Sequence, residues 1–261
     1  MVPSMKLTKE GWAIVDRDTH MGRWVEEHGR LDFDQAALRC YLPLFREGDV
    51  LLNVGANIGC YAKAFVGKAS RIICLEPNDE ALECLRHNLG RYSEVVIHPF
   101  AAAERDVRCS VRCASDNIGM AYVEEDGAGA VEARALDGLG LGRVDFILMD
   151  CEGFELRALQ GAVGLVHRFQ PIMVIEVNDV TLARVGISRG DLFAWLDVEG
   201  YSRQNIYADL GLSDEQLDII CFPRHRAAEA EERGRRTAWM EFRSAWKRAR
   251  RRVKNLLLGR G

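Results

Sequence analysis

No run of about eighteen uncharged apolar residues occurs in the 261-residue chain, so no membrane span is expected. The opening Met1-Val-Pro-Ser-Met-Lys6 lacks the apolar stretch of a secretory signal. Cys109-x-x-x-Cys113 has neither a second pair nor a nearby histidine to complete a zinc site. Several of the other cysteines fall in apolar stretches, where cysteine behaves as a small hydrophobe, and a reduced, cytoplasmic protein is expected. No internal repeat is visible. The dinucleotide fingerprint G-x-G-x-x-G is missing too: its second and third glycine positions hold Asn57 and Cys60. Without that second glycine the backbone does not approach a pyrophosphate.

Charge is scarce in one sign over most of the chain. From Arg224 onward there are thirteen Lys/Arg against four Glu, a balance of +9, whereas the rest carries 22 Lys/Arg against 35 Asp/Glu, a balance of −13. An acidic body argues against a nucleic-acid groove in the main domain. A basic tail speaks of a different partner.

What the sequence does have is one organised stretch, from Asp49 to Asn78. A short apolar run ends in the turn Gly55-Ala-Asn-Ile-Gly59, a helical stretch follows from Cys60 to about Gly67, and Arg71–Leu75 is a second buried strand ending in Glu76-Pro77-Asn78. An acid about twenty residues past a glycine turn suits a grip on ribose hydroxyls. With no pyrophosphate motif, a nucleoside ligand such as S-adenosylmethionine fits, and an ordinary βαβ unit with a tight turn fits equally well.

The rest reads as strands alternating with helices. A helix is expected over 79–89, with Asn78 as N-cap and Gly90 as stop, and a third strand over 94–98. Small residues around Ala101 would let the chain pass close to a flat base. Short strands at 107–111, 121–123 and 131–135 read as an insertion. A fourth core strand (144–149) is followed by a helix from Phe154 to about His167 and a fifth strand (170–178). A helix over 189–199 and strands at 201–207 and 216–222 complete the set. The pattern predicts a doubly wound, mostly parallel α/β sheet. Upstream, 12–16 reads as an edge strand and 34–45 as a helix, with a polar, aromatic segment between them as lid or solvated cap. The expected organisation is a cap over 1–46, a main domain over 47–223 and a basic segment over 224–261.

In such sheets ligands bind at the carboxyl ends of the strands. Glu76, Asp150, Glu152, Glu176 and Asn178 all fall there. Gathered carboxylates suit a cationic ligand, general-base work on raised pKa values, or a hard metal at Asp150, Glu152 and Glu176. No metal is assigned from the sequence. Glu152 and Glu155 also read as first-turn helix acids favoured by the macrodipole, and that bland reading is adopted for Glu155.

Asn53-Val-Gly-Ala-Asn-Ile-Gly59, Leu75-Glu-Pro-Asn78, Asp150-Cys-Glu-Gly-Phe-Glu155 and Ile175-Glu176, in order and at these separations, resemble the motifs of FkbM-type S-adenosylmethionine-dependent methyltransferases. The resemblance covers roughly residues 12–223. It implies a seven-stranded methyltransferase fold and O-methylation, often of sugar hydroxyls or natural products. By position it implies that Asn53, Gly55, Asn57 and Gly59 surround the methionine part of the cofactor, and that Glu76 binds the ribose, with Pro77, Asn78 and Ala101 beside the nucleoside. Asp150 would stand near the methyl group, and Asp150, Glu152 and Glu176 are the catalytic candidates. Two positions depart from the family: Asn53 stands where an acid is usual, and Leu148 where a lysine is usual. A catalytically silent binding module is therefore the alternative, and a nucleotide-dependent oxidoreductase a weaker one.

In the tail, Trp239, Phe242, Trp246, Ala249, Val253 and the adjacent pair Leu256 and Leu257 follow one another at steps of three or four residues among basic side chains. Residues 235–258 so predict an amphipathic helix at an anionic membrane surface, where a small-molecule, glycan or glycolipid acceptor would be met. Docking of that helix on the acidic body, or on a partner chain, is the alternative, and RNA binding a weaker third. Oligomeric state is left unassigned.

Overall fold

The computed structural model describes residues 5–33, 35–113, 115–205 and 216–226. The basic segment 235–258 and the end of the strand expected over 201–207 lie outside these residues. The chain begins with β1 (Met5–Leu7) and β2 (Ala13–Val15), an antiparallel pair, followed by α1 (Met21–His28) and α2 (Gln35–Tyr41). The central unit is β3 (Val50–Val54), α3 (Cys60–Lys63), β4 (Arg71–Leu75), α4 (Asp79–Leu89) and β5 (Val95–His98). Next come β6 (Phe100–Ala102), β7 (Val107–Arg112), β8 (Tyr122–Glu125) and β9 (Val131–Arg134). The second half holds β10 (Phe146–Met149), α5 (Glu155–Gln160), α6 (Val163–Phe169) and β11 (Ile172–Asn178). It ends with α7 (Asp179–Arg184), α8 (Arg189–Val198), β12 (Tyr201–Asn205) and β13 (Gln216–Pro223).

Seven strands form the main sheet in the order β12-β13-β11-β10-β3-β4-β5. Neighbours from β11 to β5 are all parallel, and β13 alone runs against both of its neighbours. This is the doubly wound, mostly parallel α/β sheet that the alternating pattern predicts. The apolar runs are unbroken because both faces are covered. Leu51, Ile72, Phe146, Leu148, Val174 and Ile220 face one core, shared with Ala37, Leu38, Tyr41 and Phe45 of the N-terminal segment. Leu52, Ile73, Ile147, Met173 and Ile219 face the other, under α5, α6 and α8. The N-terminal 5–45 therefore packs into the same core as the sheet. Asn88, 1% exposed, ties the two together: it accepts from Ala13 N at 2.7 Å and donates to the Ala13 and Ile58 carbonyls at 2.9 Å.

The insertion is larger than expected. The stretch read as a small-residue passage is β6, which joins β9, β7 and β8 in a separate four-stranded sheet. The single helix expected from Phe154 to about His167 is two. The break falls at Gly161, the C-cap of α5, where only glycine fits: a Cβ there would lie 2.0 Å from the Ala103 carbonyl oxygen. α6 then starts afresh on Asp137, whose carboxylate accepts from the amides of Gly164 and Leu165 at 2.8 and 2.7 Å, as an N-cap does from a distance. The Asp18–His28 segment, left between lid and cap, contains α1. Helix α7 also went unread, because only six residues separate the capping Asn178 from Val185.

Candidate functional site

The chain order reverses between β3 and β10. Strands β3, β4 and β5 run to one side, β10 and β11 to the other, which opens a crevice at their carboxyl ends. Register fixes who meets there. Asn53 pairs with Leu148 and Val54 with Met149, so Gly55 lies against Asp150. A Cβ on Gly55 would stand 1.7 Å from the Asp150 carbonyl oxygen, and its φ of +78° is one that glycine adopts freely.

Two clefts open at this point. The first encloses about 800 Å³ and is lined by Gly55, Asn57, Glu76, Pro77, Ala101, Asp150 and Glu152 among the expected residues. Met21, Tyr61, Phe100 and the Ile118–Met120 turn of the insertion add to its walls. Gly59 and Asn78, expected beside the cofactor, line neither cleft. Gly59 instead lets α3 start against Leu85 and Leu89, which a Cβ would meet at 2.9 and 2.8 Å. Asn78 caps α4 by accepting from Glu80 N at 3.0 Å.

The second cleft encloses about 1700 Å³ and holds Asn53, Leu148, Asp150, Glu152, Val174, Glu176, Asn178 and Asp218, with His20, Tyr41 and Tyr61. Asn53 thus belongs to this cleft and not to the first. The two share Met21, Tyr61, Gly119, Asp150 and Glu152. In the second, one face of the sheet presents two rows. Asn53, Leu148 and Val174 pair across β3, β10 and β11, and one step further on lie Asp150, Glu176 and Asp218, the last paired with Glu176. Tyr41 donates its hydroxyl to Asp218.

The acids are held in different ways. Glu76 is 6% exposed and accepts from Asn57 N at 2.7 Å and Asn78 N at 2.8 Å. Burial pushes its pKa up to about 7 against the pull of those two amides. Glu155 is no mere first-turn surface acid. It is 1% exposed and accepts from the amides of Cys151 (2.9 Å) and Gly153 (3.1 Å), so it closes the loop after β10. Burial raises its pKa to about 7 as well. Glu152 is not in the helix: it sits in that loop at φ +53°, a strained setting that tends to collect at functional sites. Burial, then Glu176 and Glu155, raise its pKa to about 8, opposed by Arg184 3.9 Å away. Asp150 is driven well above the usual carboxylate range by enclosure, then by Glu176 and Glu152. One oxygen from each of Asp150, Glu152 and Glu176 lies within 4.8 Å of the others. The side-chain Oδ1 atoms of Asn53 and Asp150 are buried without a hydrogen-bond partner.

Residues 53–203 match the family model described as the methyltransferase FkbM domain, more than half of the chain. The chain belongs to the FkbM methyltransferase family. It is similar to the hexuronic acid methyltransferase AglP of Haloferax volcanii, 26% identical over 160 residues that cover 57% of this chain and 66% of AglP. It thus spans just under two thirds of that relative. A solved structure, the methyltransferase FkbM from Methylobacillus flagellatus KT, superposes with a TM-score of 0.50 at 22% identity, over 68% of this chain and 44% of that one. At that identity the likeness is one of fold. No helix among the described residues is long and apolar enough to cross a membrane.

Tyr41, Tyr61, Met21, Asp218 and the turn at Gly119 were not singled out from the sequence. Tyr61 carried a signal, since it stands two residues past the glycine turn. Asp218 carried none, because only the antiparallel register of β13 sets it beside Glu176.

Proposed function

We propose that this FkbM-family protein transfers a methyl group from S-adenosylmethionine to a hydroxyl oxygen of a sugar, glycolipid or natural product. The first cleft would hold the cofactor and the second the acceptor. The observation that carries this reading is that the two clefts share Asp150 and Glu152 at the switch point of the sheet. The first cleft fits a nucleoside with a cationic end. Glu76 keeps lone pairs free for ribose hydroxyls beyond its two amide bonds. Pro77, Phe100 and Ala101 offer an apolar wall to a flat base. Asp150, with one oxygen unpartnered, faces the end where positive charge would lie.

When bound, S-adenosylmethionine supplies an electrophilic methyl group. The chain's own work is placement and proton handling. Gly55, backed against the Asp150 carbonyl, fixes how close the two sides of the crevice stand, and closeness of reacting atoms is the main source of rate in such transfers. Asp150, or Glu152 beside it, takes the hydroxyl proton: burial and the neighbouring acids raise both carboxylates above the usual carboxylate range, which makes them stronger bases when ionised. The name AglP suggests a sugar acceptor. The described lining of the second cleft carries four acids and no lysine or arginine, which disfavours a uronate carboxylate and supports a neutral hydroxyl.

The test is isotope-labelled methyl transfer to neutral and uronic glycosides, with calorimetry of S-adenosylmethionine, S-adenosylhomocysteine and NAD. Labelling of a neutral hydroxyl with selective binding of the first two is the expected result. Binding of NAD alone defeats the reading, and cofactor binding without transfer to any acceptor favours a silent module.

A further inference from the structure

We propose that Asp150, Glu152 and Glu176, with the side-chain oxygen of Asn53, form a binding site for a hard divalent cation in the larger cleft. The three carboxylates each place an oxygen within 4.8 Å of the others. Two oxygens on opposite sides of one ion stand at twice the metal–oxygen distance, about 4 Å for Mg²⁺ and about 5 Å for Ca²⁺. A single ion spans the group. The register explains the grouping. Asp150 and Glu176 are each two residues beyond a paired position, Leu148 with Val174, so they leave the sheet on the same face. Glu152 is brought round to them by its left-handed backbone, φ +53°.

Acidic clusters alone are common without an ion. Here a second feature points to a ligand. Asn53 is 2% exposed, lines the same cleft on the same face of the sheet, and has an Oδ1 that is buried with no hydrogen-bond partner. A buried amide oxygen in that state calls for a partner, and amide oxygens are ligands that hard cations accept. Charge agrees. Among the described residues lining the cleft there is no lysine or arginine, and Arg184 approaches Glu152 only to 3.9 Å. Asn178 is not assigned as a ligand, because its oxygen caps α7 by accepting from Val180 N at 3.0 Å.

An ion at this place would hold neighbouring hydroxyls of an acceptor at the mouth of the cofactor cleft. That use rests on the proposed function, whereas the site itself does not. A carboxylate has two oxygens, so Asp150 as a ligand still turns one towards the acceptor.

The experiment titrates the chelator-treated full chain with Mn²⁺, reading free ion by paramagnetic resonance, and then adds Mg²⁺ or Ca²⁺ as competitor. One Mn²⁺ per chain is expected, displaceable by the competitors. Glu176→Gln should weaken it tenfold or more, and Asn53→Asp, which adds a charged oxygen, should tighten it threefold or more. Glu124→Gln, which removes an exposed acid paired with Arg112, should leave it unchanged. Absence of stoichiometric binding at millimolar Mn²⁺, or unchanged affinity in either of the first two variants, overturns the assignment. If Glu176→Gln loses its fold by circular dichroism, Asn53→Asp decides alone. S-adenosylhomocysteine binding is measured on the same preparation. Its presence without Mn²⁺ binding defeats the cation site and leaves the methyltransferase reading standing; the reverse result defeats only that reading.

Discussion

Glu76 and Glu155 are buried acids that stand, like Asp150 and Glu152, close in the chain to the carboxyl ends of the strands, yet the two pairs are bound differently. In the first pair both carboxylates are taken up by backbone amides of the loops after β3, β4 and β10. In the second, the nearest partners are other acids, one guanidinium stands 3.9 Å away, and an Asp150 oxygen has no partner. Amide-bound acids shape loops. Acids facing one another are held for something that arrives, whether proton, cation or substrate. Burial raises the pKa in both pairs, so the shift alone does not tell the roles apart; the partners do.

The largest effect should come from the contact that sets the two sides together. Gly55→Ala must accept a left-handed backbone, about 1–2 kcal/mol, and push back the Asp150 carbonyl, about 1–3 kcal/mol more. Denaturant unfolding should show a loss of about 2–5 kcal/mol. A loss below about 1 kcal/mol would mean that the close approach is not needed.

Next, the two kinds of acid should separate. Glu155→Ala strands the amides of Cys151 and Gly153, at about 1–3 kcal/mol each, so the fold should weaken by about 2–6 kcal/mol. Glu152→Gln should cost little. It should also change the pH dependence, and the sign follows from the raised pKa. Between the ordinary glutamate value and about 8 the unfolded chain gives up the proton that the folded chain keeps. Stability therefore falls as pH rises through that window. The parent should lose melting temperature from pH 5 to pH 8, and Glu152→Gln should lose less. Equal slopes would place the titrating group elsewhere.

A smaller effect is expected at Glu76, whose role is shared between loop and ligand. Glu76→Ala should weaken S-adenosylmethionine binding by about 1–3 kcal/mol, read by calorimetry. Unchanged affinity with the fold intact would leave Glu76 a loop acid only.

Much of this was legible because the chain states it locally. The parallel strands show as apolar runs, and α4 begins and ends where Asn78 and Gly90 say it should. Strand-end acids followed from the general rule for such sheets. What was not legible depends on contacts far apart in sequence. At the break between α5 and α6 the Ala103 carbonyl leaves room for glycine alone at 161, and α6 is capped from Asp137. Glu155 stands in the first turn of α5 as its position suggests, but nothing local announces that its carboxylate also holds the loop before it. Walls of the second cleft come from Tyr41 in the N-terminal segment and Gly119 in the insertion, neither of which carries a motif.

The most direct test of the contrast is Asp150→Asn, which keeps the shape and removes the charge where the two clefts meet. Turnover should fall by about 10²-fold or more, the range for losing a general base, while S-adenosylmethionine affinity, which loses one favourable charge, falls far less than turnover. Turnover near that of the parent, or affinity and turnover lost together, would contradict a carboxylate held ready for the acceptor.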